Sequence, residues 1–275
     1  MLTANALQKD VITLDSKELF FLAGILGSDR LLGVEDPFQG SLADEIAAEW
    51  EAVKSSLLQK EYLSQGETDA DLSMPAHVFS RVAIAGLAER ACWVRYKNEA
   101  EEFKGYVHIT DERVVESSKE SETSTTYRLR ELGNVQEACA SLVERMKWRD
   151  ESPADLPALL LSKKQLRELY QLPELQLEQV SSELAKSTGD VEGSWALAKC
   201  LCQRKAEGEL QLSVWDGEQW ETQGAAFIVG ETMNWLLRMS MKDEEDWLIA
   251  TPATRQQLHD MLLVWFEHQS ETEEG

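Results

Sequence analysis

Apolar residues return at helical spacing near the start of the chain. Leu19, Leu22, Ala23 and Leu26 share one face of a segment entered through Asp15 or Ser16, which predicts a short helix over 16–27. Ser41-Leu42-Ala43-Asp44-Glu45 opens a second helix, in which Asp44 stands at the capping-box position and Glu45, one residue on, is the better acceptor. Ile46, Trp50, Val53, Leu57 and Leu58 carry its apolar stripe toward Tyr62, and Gly66 with the polar run to Asp71 ends it. Pro75, just inside a start after Ser73, launches a third helix through Val78, Val82, Ala85 and Ala88. The period then changes. Residues 92–97, 103–110, 113–119 and 125–132 are β-rich and separated by polar turns, which predicts an antiparallel meander. Asp111-Glu112 makes a tight turn, and Glu120-Ser121-Glu122-Thr123-Ser124 makes a polar loop. Asn134 caps a closing helix that runs to about Trp148.

The same order then recurs. Helices are predicted at about 162–171, 174–187 and 192–207, strands at 210–215, 220–229, 232–240 and 247–251, and a last helix at 254–268 capped by Thr254. Gly105–Val115 aligns without a gap on Gly224–Asn234. One residue out of register, Tyr127–Leu132 with its following helix matches Trp247–Pro252 with its own, and Leu142, Val143 and Met146 fall on Leu262, Leu263 and Phe266. The expectation is an α+β protein of two tandem homologous units packed with quasi-two-fold symmetry. The units span 1–148 and 158–269, with a linker at 149–157 and an acidic tail at 270–275.

The third strands of the two copies differ. Val114-Val115-Glu116-Ser117-Ser118-Lys119 is polar beyond its first pair, whereas Met233-Asn234-Trp235-Leu236-Leu237-Arg238-Met239 is apolar on both faces. Two readings follow: both faces of the second strand are covered, or Trp235 or Leu237 lies exposed as a docking surface.

Composition narrows the function. Hydrophobic residues make up 43% of the 275, with nine Trp, enough for a sizeable core. Fifty acidic residues against 27 basic ones give a net charge of −23. No basic run offers the cationic footprint a nucleic-acid binder or an anionic membrane surface needs. The N-terminus lacks a signal-peptide pattern, and the apolar run Leu19–Leu26 is far short of a ~20-residue span, so a soluble, cytoplasmic protein is expected. Cys92, Cys139, Cys200 and Cys202 fit a reducing compartment as small core residues.

Candidate chemistry is sparse. Cys200 and Cys202 have one residue between them, and helical metal pairs need three- or four-residue spacing. His77, His108, His259 and His268 are scattered, and the counterpart of His108 in the second copy is Phe227. No Gly-x-Ser-x-Gly, Walker or dinucleotide pattern is present. The expectation is a non-enzymatic binding protein with no catalytic residue, no cofactor and no metal.

The order of elements also resembles a family. The helical pair Ser41–Tyr62 and Pro75–Ala91 leads into the strand Cys92-Trp93-Val94-Arg95-Tyr96-Lys97, a meander and the helix Asn134–Met146, and the second copy, Leu156–Phe266, ends in the same way. This organisation resembles the EspG-type chaperones of type VII (ESX) secretion. The resemblance implies a quasi-two-fold α+β fold and a cytosolic chaperone that holds a helical export substrate soluble through its sheet and a neighbouring loop. The matching positions are the loop Lys119–Thr126, with Glu120 and Glu122, and the strand residues Val114, Val115, Trp235 and Leu237. The partner expected is another protein, with neither nucleic acid nor membrane. Two further readings stay open: a small-molecule-binding or regulatory domain with a pocket between the units, and a homodimeric scaffold.

Overall fold

The computed structural model describes residues 11–28, 30–67, 71–150, 155–170, 176–242 and 245–268. It is α+β, with eight helices and a large antiparallel sheet among the described residues. Contacts divide the chain into two units. The first runs up to Cys92 and includes Gly105–Val135; the second holds Trp93–Lys104 and the chain from Gln136 onward.

The first unit contains β1 (Val11–Asp15), α1 (Ser16–Ile25), α2 (Ala43–Gln59), the two-residue strands β2 (Ser64–Gln65) and β3 (Leu72–Ser73), and α3 (Ala76–Leu87). The first residues of β4 (Arg90–Asn98), the end of β5 (Glu102–Ile109), β6 (Val114–Lys119) and β7 (Thr126–Gly133) complete it. Its strand order is β1-β7-β6-β5. Asp15 caps α1 reciprocally: its Oδ1 accepts from Glu18 N and Glu18 Oε2 accepts from Asp15 N, both at 2.8 Å. The buried Glu18 carboxylate also accepts from Ser56 Oγ (2.7 Å) and Lys60 Nζ (2.6 Å), which ties α1 to the end of α2. At α2, Glu45 accepts from Leu42 N at 2.9 Å, as its position predicts. Leu19, Leu22, Val53, Leu57, Val78 and Val82 from the three helices meet Ile12, Leu14, Val115, Tyr127 and Leu129 from the strands in one core.

The second unit holds the rest of β4 and β5, then α4 (Val135–Arg145, all but its first residue), β8 (Leu159–Ser162), α5 (Lys163–Tyr170), α6 (Leu177–Thr188) and α7 (Val191–Cys202). It continues through β9 (Ala206–Trp215), β10 (Trp220–Val229), β11 (Asn234–Lys242), β12 (Glu245–Pro252) and α8 (Arg255–Glu267). Its strand order is β4-β9-β10-β11-β12-β8. The β9–β10 hairpin keeps one register from Trp215↔Trp220 to Ala206↔Val229. Gly208 permits β9 to approach β4, since a Cβ there would lie 2.5 Å from the Arg95 carbonyl oxygen. Leu159, Leu161, Val180, Leu184, Leu197, Leu201, Trp235, Leu237, Leu248 and Ala250 form the core under α6 and α7. Gly189, at φ 73°, ends α6 in the left-handed cap, and Asp190 opens α7 by accepting from Gly193 N at 3.0 Å.

Several features depart from the sequence reading, among them the short paired strands β2 and β3. β1 and β8 are strands where none was expected; each adds antiparallel to the last strand of its unit's meander, β1 to β7 and β8 to β12. The helix expected at 192–207 stops at Cys202, and Ala206 already belongs to β9. The helix expected to run from Asn134 to about Trp148 ends at Arg145, and all of it beyond Val135 belongs to the second unit. Residues 151–154 of the predicted linker and the predicted acidic tail at 270–275 lie outside the described residues.

Candidate protein-docking surface

The residues singled out in the sequence separate by burial. Val114 and Val115 are both fully buried on β6, pointing to opposite sides of the sheet, with Val115 in the first core. Trp235 and Leu237 share one face of β11, at 0% and 1% exposure, inside the second core. Trp235 donates its indole N–H to Met233 Sδ at 2.9 Å, so even its polar end is engaged within the fold. The reading of Trp235 and Leu237 as an exposed docking surface is therefore replaced by the core reading. The side chains of α6 and α7 cover that face, and Leu236 on the opposite face is buried as well.

Glu120 and Glu122 behave differently. They share the exposed β6–β7 loop, which Glu120 N closes on Thr126 O (3.1 Å) and Ser124 N on Ser121 O (3.1 Å). Lys119 Nζ lies over the Tyr127 ring at the base of this loop, 5.6 Å from its centroid. Val114, Val115, Glu120 and Glu122 belong to the first unit, and Trp235 and Leu237 to the second.

A second exposed surface lies on the second unit and went unnoticed in the sequence. The face of β9, β10 and β11 that α6 and α7 cover at one end continues beyond them. There the pairing sets Gly224 opposite Gln211 and beside Met239. Met239 is 50% exposed and lies flat over Gly224, where a Cβ would come 2.8 Å from its sulfur. At the hairpin tip the half-buried Trp215 and Trp220 meet edge-on, with ring centroids 5.4 Å apart at 61°. Asp216 stiffens the tip by accepting from Glu218 N and Gln219 N, each at 2.7 Å, and these backbone donors hold its carboxyl below the usual range. Glu209 and Gln211 are exposed along β9. On β4, Val94 and Tyr96 point into the core while Arg95 and Lys97 stay exposed near Glu102, at 3.9 and 3.8 Å. The legible signal was the pair of Trp residues bracketing Asp216-Gly217-Glu218-Gln219: a turn with an aromatic at each strand end.

Burial shifts one histidine and three cysteines of the fold toward their neutral forms. His108 is buried, its Nε2 lies 2.9 Å from Ser117 Oγ, and burial pushes its pKa down to about 4. Burial pushes the Cys200 thiol up to about 12, and burial with the nearby Glu267 charge does the same to Cys139. Burial also raises Cys202. Among the described residues no group of three or more His, Cys, Asp or Glu side chains is placed to hold a metal ion, and no helix is long and apolar enough to cross a membrane.

No protein-family model matches the chain, and no curated protein sequence matches it. Among solved structures it is similar to the Mycobacterium tuberculosis type VII secretion system chaperone EspG5, determined in complex with the PE25-PPE41 dimer. The match has a TM-score of 0.63 and 11% identity, and covers 95% of this chain and 97% of that one. At that identity the likeness is one of fold.

Proposed function

We propose that this protein is a non-enzymatic, protein-binding chaperone or adaptor of the cytosol that holds a helical export substrate soluble. The observation that carries the reading is the likeness in fold, over nearly the whole of both chains, to a secretion chaperone captured on its protein partner. A shared fold hosts unrelated functions, so the surface must carry the rest. Two regions suit the task. One is the open face of β9–β11, where Met239 and the Trp215–Trp220 pair supply apolar anchors on a stiff hairpin. The other is the β6–β7 loop with Glu120 and Glu122 on the first unit.

The test is affinity purification of the tagged protein from its own organism, with mass spectrometry, followed by reconstitution of any stoichiometric pair from purified components. A small helical protein made for export is the expected partner. Met239→Glu is expected to weaken the reconstituted complex at least ~10-fold, as loss of an interface anchor does, while the melting temperature stays within ~1–2 °C of wild type. Glu120→Lys with Glu122→Lys tests the loop by the same two readouts. A bait that returns empty, or a complex indifferent to both sets of changes, overturns the reading.

A further inference from the structure

The helical hairpin of the second unit carries a groove that no element among the described residues of that unit fills. It has a volume of about 570 Å³. Ser181, Ser182 and Ala185 of α6 floor it, and Val191 and Trp195 of α7 wall it. Val191 is 73% exposed and Trp195 42%, although α7 buries its other face through Leu197, Ala198 and Leu201. A large aromatic and a β-branched residue, one turn apart over a floor of small side chains, form an open slot between two helices. A third helix would fit it.

The charges on α6 indicate which helix. Glu178, Ser182 and Lys186 stand at four-residue intervals, on one stripe along the helix. Turned end for end about Ser182, this stripe falls on itself with its charges exchanged. Glu178 then faces Lys186 of a second copy, Lys186 faces Glu178, and the smallest side chains meet at the crossing point. Self-complementarity of this kind is what a two-fold interface requires. A foreign helix would need the same reversed pattern, which this chain already presents. We infer that the protein forms an isologous homodimer in which α6 crosses α6 of the second copy antiparallel at Ser182, with Trp195 and Val191 of each copy packed over α6 of the other.

The magnitudes set the strength. Glu178 and Lys186 are about 12 Å apart along the helix at 1.5 Å per residue, so the contact spans little more than two turns. That places the interface at or below the small end of the ~1,200–2,000 Å² usual for stable complexes, and the dissociation constant in the micromolar range. Each copy carries a net charge of −23, so long-range repulsion opposes association. Screening this repulsion strengthens the dimer as salt rises from about 0.02 to 0.3 M. Lys186 already bonds Glu183 on its own helix at 2.6 Å, and in the dimer it serves both carboxylates.

Sedimentation velocity of the full-length protein across about 5–200 µM, in about 0.3 M salt, tests the inference in the concentration range of the expected affinity. The wild type is expected to dimerise with concentration. Glu178→Lys alone and Lys186→Glu alone, each placing like charges opposite one another twice, are expected to weaken the dimer at least ~10-fold. The double exchange, E178K with K186E, restores the opposite pairing and is expected to return to within ~3-fold of wild type, since it rebuilds the same contacts reversed. Both positions are at the surface, and circular dichroism confirms that each variant is folded. A wild type that stays monomeric throughout, single exchanges that leave association unchanged, or a double exchange without rescue each overturns the inference. This outcome does not depend on the chaperone reading.

Discussion

Tryptophan shows why residue identity alone does not assign a role. Trp235 is fully buried, Trp195 is 42% exposed, and Trp215 and Trp220 are half-buried in a hairpin pair. Trp235→Ala removes the largest fully buried side chain and is expected to cost about 3–5 kcal/mol in denaturant unfolding, as a large-to-small change in a packed core does. A loss below ~1 kcal/mol would show that the position is not core. His108 makes a second residue-scale prediction. Its folded pKa of about 4 lies below the unfolded value of 6.5, so between those limits the unfolded chain binds a proton that the folded one does not. Its contribution to stability is full above pH 6.5, falls as the pH drops through that window, and levels off below pH 4. The drop amounts to about 3 kcal/mol at 1.36 kcal/mol per pKa unit. His108→Phe, which installs the aromatic that stands at Phe227 in the aligned segment, is expected to flatten this part of the pH profile. Equilibrium unfolding from pH 7.5 to 4 measures it, and an unchanged slope would remove His108 as the cause.

At the scale of elements, the helices were the most legible parts, because cap and stripe are written in neighbouring residues. Glu45 as the acceptor of α2 and Thr254 as the cap of α8 both follow from spacing alone. Glu18 extends the same logic beyond its own helix: one carboxylate completes the capping box and binds Ser56 and Lys60 of the next helix. Glu18→Ala is expected to lower stability by about 2–3 kcal/mol, the range for charge-assisted hydrogen bonds together with a lost cap, and thermal unfolding checks it. Glu18→Gln retains shape and part of the bonding and is expected to cost less. β1 and β8 were not legible. Val11–Asp15 and Leu159–Ser162 are short, and each becomes a strand through a partner distant in sequence, β7 or β12. No window of neighbouring residues contains that pairing.

For the whole molecule, charge is the property with direct consequences. With −23 net and a pI near 4.6, self-repulsion opposes the folded state at neutral pH and low salt. Raising sodium chloride from about 0.02 to 0.3 M is therefore expected to increase the melting temperature by a few degrees, as the Debye length shrinks from roughly 20 to 6 Å. A melting temperature that fell with salt would show that local ion pairs outweigh the net repulsion. The stretches Val11–Arg145 and Leu159–Glu267 share a connection order: a strand, helices, then a meander whose last strand receives that first strand, and a helix. A tandem duplication remains our proposal from the aligned segments, Gly105–Val115 and Gly224–Asn234. The amino-acid sequence by itself determined the class of each long element, the order of helices and meanders, and the acidity of the surface, because a 3.6- or two-residue period and a charge balance are properties of the chain wherever it folds. Only the tertiary structure decided which apolar residues are covered. It placed Trp235 and Leu237 in the core, left Met239, Val191 and Trp195 at the surface, and made strands of β1 and β8. The reason is that burial depends on what lies against a side chain, and that neighbour comes from another part of the chain.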